Sequence, residues 1–173
     1  MIQSFETQLQ VSLRALSEIV APALAGADKH VIEQLQLVMA ALGFMQARLQ
    51  LADAFQRTEL EAYLALAETA AANFRKHRGS DYATLIEAMS GSRAALASET
   101  SEAEDYQRST RRLRELVAAL ITETSNEAEA AELRAIVLTR SGDMIGDARL
   151  WCLPLGFELD PAALPRRDWL PSA

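Results

Sequence analysis

Cysteine is almost absent from this chain, since Cys152 is the only one among its 173 residues. A single thiol excludes an internal disulfide and every zinc or iron–sulfur site that takes several cysteines from one chain. At this length one domain can bury a sizeable core, so the fold needs neither a disulfide nor a metal to hold it. This composition fits a reducing compartment best, and we expect a cytoplasmic protein without a cofactor.

Basic residues are also scarce, with 17 Lys and Arg against 24 Asp and Glu, for a net charge of −7 and a pI near 4.9. A net negative surface is repelled by nucleic acid and by anionic membranes, so we expect neither as a partner. The longest uncharged stretch, 34–47, is interrupted by glutamines and is shorter than the roughly 20 apolar residues that span a bilayer. Residues 1–6 show no basic leader and predict no secretory signal.

No window shows the alternation of apolar and polar residues that a half-buried strand requires. Apolar residues recur instead at helical spacing along the whole chain. The sequence therefore predicts an all-α protein, a bundle of five or six helices over 1–150. The segment 151–173 contains four prolines and many apolar residues, and it predicts an irregular tail packed on the bundle or on a partner subunit.

A seam of apolar residues is the clearest pattern in the sequence. Its members recur at intervals of four and three: Val31, Leu35, Val38, Leu42, Met45, Leu49 and Ala52. An average spacing of 3.5 places them on one stripe of a helix that another helix must cover. Flanking apolar residues widen this face, which predicts a central position for the helix.

The seam changes phase between residues 52 and 60, because its register would place Gln56 and Glu59 inside. Capping-box spacing at Asp53 and Gln56, or at Thr58 and Glu61, favours the start of a new helix here. A similar spacing at Ser101 and Glu104 predicts the start of a later helix.

Two further residues predict helix ends. Gly79 is placed to end the helix after the phase change in a left-handed cap. Pro22 disfavours helical geometry at Ala21 and predicts the end of a first helix over 2–21, with Asp28 as N-cap of the next.

A basic turn precedes Gly79 and consists of Arg75, Lys76, His77 and Arg78. Together with the backbone amides of Ser80 and Asp81 it could hold a phosphate or a carboxylate. The alternative is a basic last turn that complements the helix dipole.

The tail carries the strongest indication of a partner. Its candidate interface residues are Trp151, Phe157, Arg166, Arg167 and Trp169. Trp and Arg are enriched at the centres of protein interfaces. The alternative is that the tail folds back and closes the bundle of its own chain.

Other polar residues could bind a metal or act in catalysis only together with further residues. His30 and Glu33 share a helix face, but the Glu-x-x-His order of di-iron bundles does not occur, so we predict no metal site. Asp143 and Asp147 lie one turn apart and could act as acid–base groups, also with His77, or bind a divalent ion. The alternative is a surface or interhelical salt-bridge network.

The segment 13–26, LRALSEIVAPALAG, resembles small uncharacterised bacterial helical proteins encoded near acyl-CoA dehydrogenases and aminoglycoside-phosphotransferase-like proteins. That resemblance implies an accessory role in acyl-CoA metabolism and no catalytic residues.

Without a catalytic motif, we expect a non-enzymatic accessory or interaction protein that forms a homo-oligomer, most simply a dimer, or that binds another protein. Two alternatives remain: a module that binds an apolar or acyl-type molecule with its anionic end on the basic turn, and an enzyme with scattered acid–base residues.

Overall fold

The computed structural model describes residues 4–79 and 82–170, and every regular element in these ranges is helical. The helices are α1 Phe5–Ala15, α2 Lys29–Arg48, α3 Ala52–Arg78, α4 Ala83–Ala97, α5 Ala103–Glu123 and α6 Glu127–Cys152. Short 3-10 turns follow at Leu153–Leu155 and Pro161–Ala163. The predicted all-α class and the helical bundle are confirmed.

The chain divides into two compact units, which differs from the predicted bundle over 1–150 with a separate tail over 151–173. Unit 1 comprises Met1–Leu51 and Arg149–Leu164, and unit 2 comprises Ala52–Ala148 and Pro165–Ala173. The first boundary coincides with the predicted phase change, where a 3-10 turn at Leu49–Leu51 separates α2 from α3. The last 25 residues are therefore shared between the units, because their two parts pack on different helices.

Unit 2 contains most of the apolar core. Helices α3, α4 and α5 pack together, and Leu133 of α6 joins them. The helix α5 contributes Leu113, Leu116, Val117 and Leu120, whose spacing of three, one and three puts them on one face. Each fully buried leucine stabilises the fold by about 1.5–3 kcal/mol relative to an exposed one.

Unit 1 is built on α1 and α2, and it buries far less. The side chains of Leu9 and Leu13 on α1 and of Leu16 directly after it are half-buried, as are Val31 and Leu35 on α2. The expectation that α2 lies centrally is wrong, because no apolar residue of this helix is fully buried. A single neighbouring helix covers only part of its wide apolar face.

The first helix does not end before Pro22 as predicted. The backbone widens into a π-helical turn at Leu16–Val20, and Ala21 keeps helical dihedral angles with its N–H bonded to the carbonyl of Leu16. The wider turn accommodates a proline, which supplies no N–H and crowds the preceding turn of a regular α-helix. The helical path therefore continues through Ala23.

The predicted helix ends agree with the structure in part. Gly79 has the left-handed φ of +65° and donates to the carbonyl of Arg75, as expected of a cap. The capping box before α5 is formed by Glu102 and Asp105, one residue later than predicted. At the start of α3 the Asp53 carboxylate instead accepts from the backbone N–H of Ala103.

Candidate functional site

An apolar stripe on α2 is exposed to solvent. We define the exposed stripe as Leu37, Val38, Ala41 and Met45 of α2 together with Leu49, the first residue after this helix. Three of its members belong to the seam that the sequence predicted to be covered, and Met45 is 55% exposed. Helix α1 therefore covers one half of the apolar arc of α2 and leaves the other half open.

The two units differ sharply in how many of their large apolar residues are exposed to solvent. Of the buried apolar residues among the described part of the chain, unit 1 contains only Leu150 and Leu164. Of the exposed large apolar residues it contains Phe5, Val11, Ile19, Leu37, Val38, Met45, Leu49, Leu155, Phe157 and Leu159. Unit 2 contains only Leu138 and Ile145 of that exposed group. Unit 1 thus contains ten of the twelve large apolar residues that are exposed in the described part of the chain, and exposed apolar clusters often mark interaction surfaces.

One helical stretch also meets a simple criterion for a membrane span. By length and composition alone, Lys29–Arg78 includes a segment that is long and apolar enough to cross a membrane, and little of this segment is buried. The exposed stripe lies within this stretch.

The basic turn on α3 faces carboxylates of α6. The Nζ of Lys76 and the Nε2 of His77 lie 3.4 Å and 3.0 Å from Glu132 Oε2, and Asn73 donates to the same oxygen at 2.8 Å. These hydrogen bonds, that from His77 foremost, lower the pKa of Glu132 to about 2.

The last residue of the basic turn is paired as well. Arg78 Nε donates to both oxygens of the buried Glu129, at 3.2 Å and 3.1 Å, while Arg75 is engaged in an interaction of its own. The backbone amides of Ser80 and Asp81 lie outside the described residues. Anion binding by this turn stays a prediction. The geometry supports a structural role, in which the basic turn of α3 forms ion pairs with Glu129 and Glu132 of α6.

The first part of the tail packs within unit 1. Trp151 is half-buried, with its ring 6.1 Å from Phe44 in an edge-to-face arrangement and 5.5 Å from the guanidinium of Arg48. Arg149 forms two hydrogen bonds to Glu158, at 2.9 Å and 2.8 Å. Phe157 is 83% exposed, so a role at a partner interface stays a prediction for this residue.

The second part of the tail packs within unit 2. Trp169 is buried against Phe55, with ring centroids 5.2 Å apart. Arg167 binds Asp147 and lies 3.8 Å from Asp143. Its own chain already covers Trp169, as in the alternative that the tail folds back, and an interface role stays a prediction for this residue. Arg166 is exposed, and its role is still a prediction.

A crevice between α3 and α6 in unit 2 encloses about 270 Å³. Its wall is formed by Phe55, Thr58, Glu59, Ala62, Tyr63, Ser141, Met144, Ile145, Asp147 and Ala148. These residues recur at three- and four-residue intervals on each helix, so the crevice is the line along which two helix faces meet. Small side chains at Ala62, Ser141 and Ala148 leave the space unfilled.

Glu59 is the charged residue of this wall that the sequence analysis did not select as a site. Burial raises its pKa, and the more distant charge of Arg114 lowers it by a smaller amount. Among the described residues, no hydrogen bond or ion pair engages its carboxylate. The seam register had placed Gln56 and Glu59 inside, and both are in fact buried or half-buried. Continuing the seam register past residue 52 would therefore have identified Glu59 as an inward-facing residue. The sequence analysis instead took the seam to change phase at this point.

The acid–base candidates do not meet in the crevice. Asp147 lines it but is held by Arg167, whereas His77 binds Glu132 and does not belong to the wall. In the described part of the chain no three His, Cys, Asp or Glu side chains form a cluster that could hold a metal ion.

Comparison of the chain with protein-family models, with curated proteins and with solved structures gives no match.

Proposed function

We propose that this protein is an interaction protein whose unit 1 pairs with unit 1 of a second copy. The observation that carries the proposal is the unequal distribution of apolar residues. Unit 1 buries only Leu150 and Leu164 fully while it exposes most of the large exposed apolar residues of the described chain. Fewer than about 70 residues with so little core are marginal alone and gain stability by association.

The arrangement of the exposed stripe favours a helical partner. From Val38 onward its residues recur at intervals of three and four along the second half of α2 and the residue after it, which is the pattern that inserts into a second helix of the same kind. In a two-fold dimer the same patch is used by both subunits, so one self-complementary stripe is sufficient.

The small net charge of the segment that contains α1 and α2 favours a second copy as partner over a strongly charged protein. Residues 4–51 contain four carboxylates and three Lys or Arg residues, whereas the whole chain has a net charge of −7. Two copies of this segment can approach with little mutual repulsion, because most of the excess negative charge lies elsewhere in the sequence.

The exposed apolar residues of unit 1 are large in total area. Summed over α1, α2 and the tail they present on the order of 1,000 Å² of surface, of which the exposed stripe is one part, and a standard dimer buries about 800 Å² on each partner. Lipid is less well matched, because interfacial helices display rows of Lys and Arg that residues 4–51 lack.

The subunit count and the effect of one charge test this proposal. We expect a dimer in native mass spectrometry and in light scattering over a dilution series. Met45→Glu places a carboxylate in the stripe and should raise the dimer dissociation constant at least about 100-fold, because an unpaired charge becomes buried. Leu138→Glu, at an exposed residue of unit 2, is the matched control and should leave the dimer intact.

Three results would contradict the proposal: a wild-type monomer at all concentrations, a dimer that Met45→Glu leaves unchanged, or flotation of the wild-type protein with lipid vesicles. Circular dichroism of each variant shows whether its helices remain formed.

The other functions considered from the sequence receive less support. The wall of the crevice contains two carboxylates and none of the basic-turn residues, which disfavours an anionic end held by that turn. The separation of His77 from the Asp pair disfavours an acid–base enzyme built on these residues. An accessory role in acyl-CoA metabolism stays a prediction of the resemblance over 13–26.

A further inference from the structure

The crevice between α3 and α6 has the construction of a ligand site. At about 270 Å³ it approaches the lower end of the range, roughly 300–1,000 Å³, that small-molecule pockets occupy. Most of the exposed surface of its wall is apolar, and two of the wall residues, Glu59 and Asp147, carry a carboxylate. It belongs entirely to unit 2, so it is independent of the pairing surface proposed for unit 1.

The two aliphatic hydroxyl groups of the wall, those of Thr58 and Ser141, are already used by the protein. Thr58 donates to the carbonyl of Ala54 and Ser141 donates to that of Val137, at 3.0 Å and 2.7 Å. Both bonds run back along the helix on which the residue lies. These two hydroxyls therefore keep acceptor capacity but have no free proton to offer a ligand.

The two carboxylates of the wall differ in their partners. Asp147 is neutralised by Arg167, whereas Glu59 has no ion pair among the described residues and senses Arg114 only at a distance. A half-buried carboxylate without a partner is destabilising, because burial removes part of its hydration. A cation placed in the crevice would supply the missing partner.

Two aromatic rings flank Glu59 at one helical turn on either side, Phe55 before it and Tyr63 after it. Residues four apart share one face of a helix, so these rings and the carboxylate line the same side of the crevice. Aromatic faces attract organic cations. An anion, in contrast, would meet a carboxylate and two electron-rich rings.

We propose that the crevice binds a small organic ammonium compound, with the ammonium group on Glu59 and an apolar body between α3 and α6. The body fits the space left by the small side chains, against Met144 and Ile145. An alkyl or aryl amine of modest size satisfies both the charge and the apolar wall.

The test compares three probes of similar shape in isothermal titration calorimetry: 2-phenylethylamine, 2-phenylethanol and phenylacetate. The wild-type protein should bind the amine at least tenfold more tightly than the alcohol and should not bind phenylacetate. Binding should also change the fluorescence of Trp169, whose ring contacts Phe55 in the wall.

Two variants locate the site. Glu59→Gln should abolish the preference for the amine, and it should fold, because it removes a desolvated charge. Glu61→Gln, an exposed carboxylate of the same helix paired with Arg57, is the matched control and should retain the preference. Ala62→Leu fills the space and should weaken the binding of both amine and alcohol at least tenfold.

The proposal is overturned by equal affinities of the wild-type protein for amine and alcohol, or by no heat of binding for the amine. It is also overturned if Glu59→Gln keeps the preference. The comparison of probes in the wild-type protein needs no variant, so the proposal remains testable even if a variant fails to fold.

Discussion

At the scale of single residues, Arg48 is the buried cation on which the end of α6 depends. It is 7% exposed, and its guanidinium donates to the backbone carbonyls of Trp151 and Leu150 at 2.8 Å and 2.7 Å. The last carbonyls of a helix have no partner within that helix. Arg48 supplies one, and its burial lowers its own pKa. Sequence reasoning did not select this residue, because 102 residues separate it from Leu150.

We therefore predict that Arg48→Ala lowers the free energy of unfolding by about 3 kcal/mol, since two hydrogen bonds from a charged donor are lost and two carbonyls are left buried. Urea denaturation followed by circular dichroism measures this loss. Arg14→Ala removes an exposed pair with Glu18 and should change stability by less than about 0.5 kcal/mol. Equal effects of the two substitutions would show that Arg48 is not a cap.

At the scale of secondary-structure elements, a glycine marks a helix end at one position and lies inside a helix at others. Gly79 ends α3 as its position indicated, whereas α4 continues through Gly91 and α6 continues through Gly142 and Gly146. A glycine weakens a helix by about 1 kcal/mol relative to alanine, which packing of the whole element can offset. Whether a glycine stabilises or destabilises its position relative to alanine depends on the backbone φ angle there, and the sequence does not reveal that angle.

Two glycine substitutions should therefore act in opposite directions. Gly79→Ala imposes a side chain on a φ of +65° and should destabilise the protein by about 1 kcal/mol. Gly91→Ala lies inside α4 with no atom within 4 Å of the added Cβ, and it should stabilise by about 0.5–1 kcal/mol. Thermal unfolding of both variants checks the signs, and a shift of the same sign in both would refute the argument.

At the scale of the whole molecule, the ion pairs between distant segments make stability dependent on pH. His77, Asn73 and Lys76 lower the pKa of Glu132 to about 2, and Arg149 lowers that of Glu158. A lowered carboxyl pKa stabilises the fold above the ordinary value of about 4.5 and loses this effect as the pH falls towards the folded value. Burial acts on Glu59 with the opposite sign, because it favours the protonated form.

We predict that the wild-type protein loses stability between about pH 4.5 and pH 2, and that Glu132→Gln loses less over the same interval. Urea midpoints measured across this range test the prediction. Glu127→Gln, an exposed carboxylate paired with Arg134, serves as the control. Parallel curves for wild-type protein and Glu132→Gln would rule out this role of the basic turn.

The sequence by itself determined the all-α class, the position of the break near residue 52 and the cap at Gly79. Each of these depends on residues within about four positions of one another, whose interactions are set by helix geometry. The apolar seam could also be recognised in the sequence, but the sequence did not show which segments pack on it.

Only the tertiary structure decided which half of that seam is covered, how the tail is shared between the two units and that Glu59 and Ile145 line one crevice. These depend on which distant helix faces come together, and many pairings satisfy the same apolar pattern. The burial of Trp169 and the solvent exposure of Met45 result from that choice, and both candidate sites of the protein depend on it.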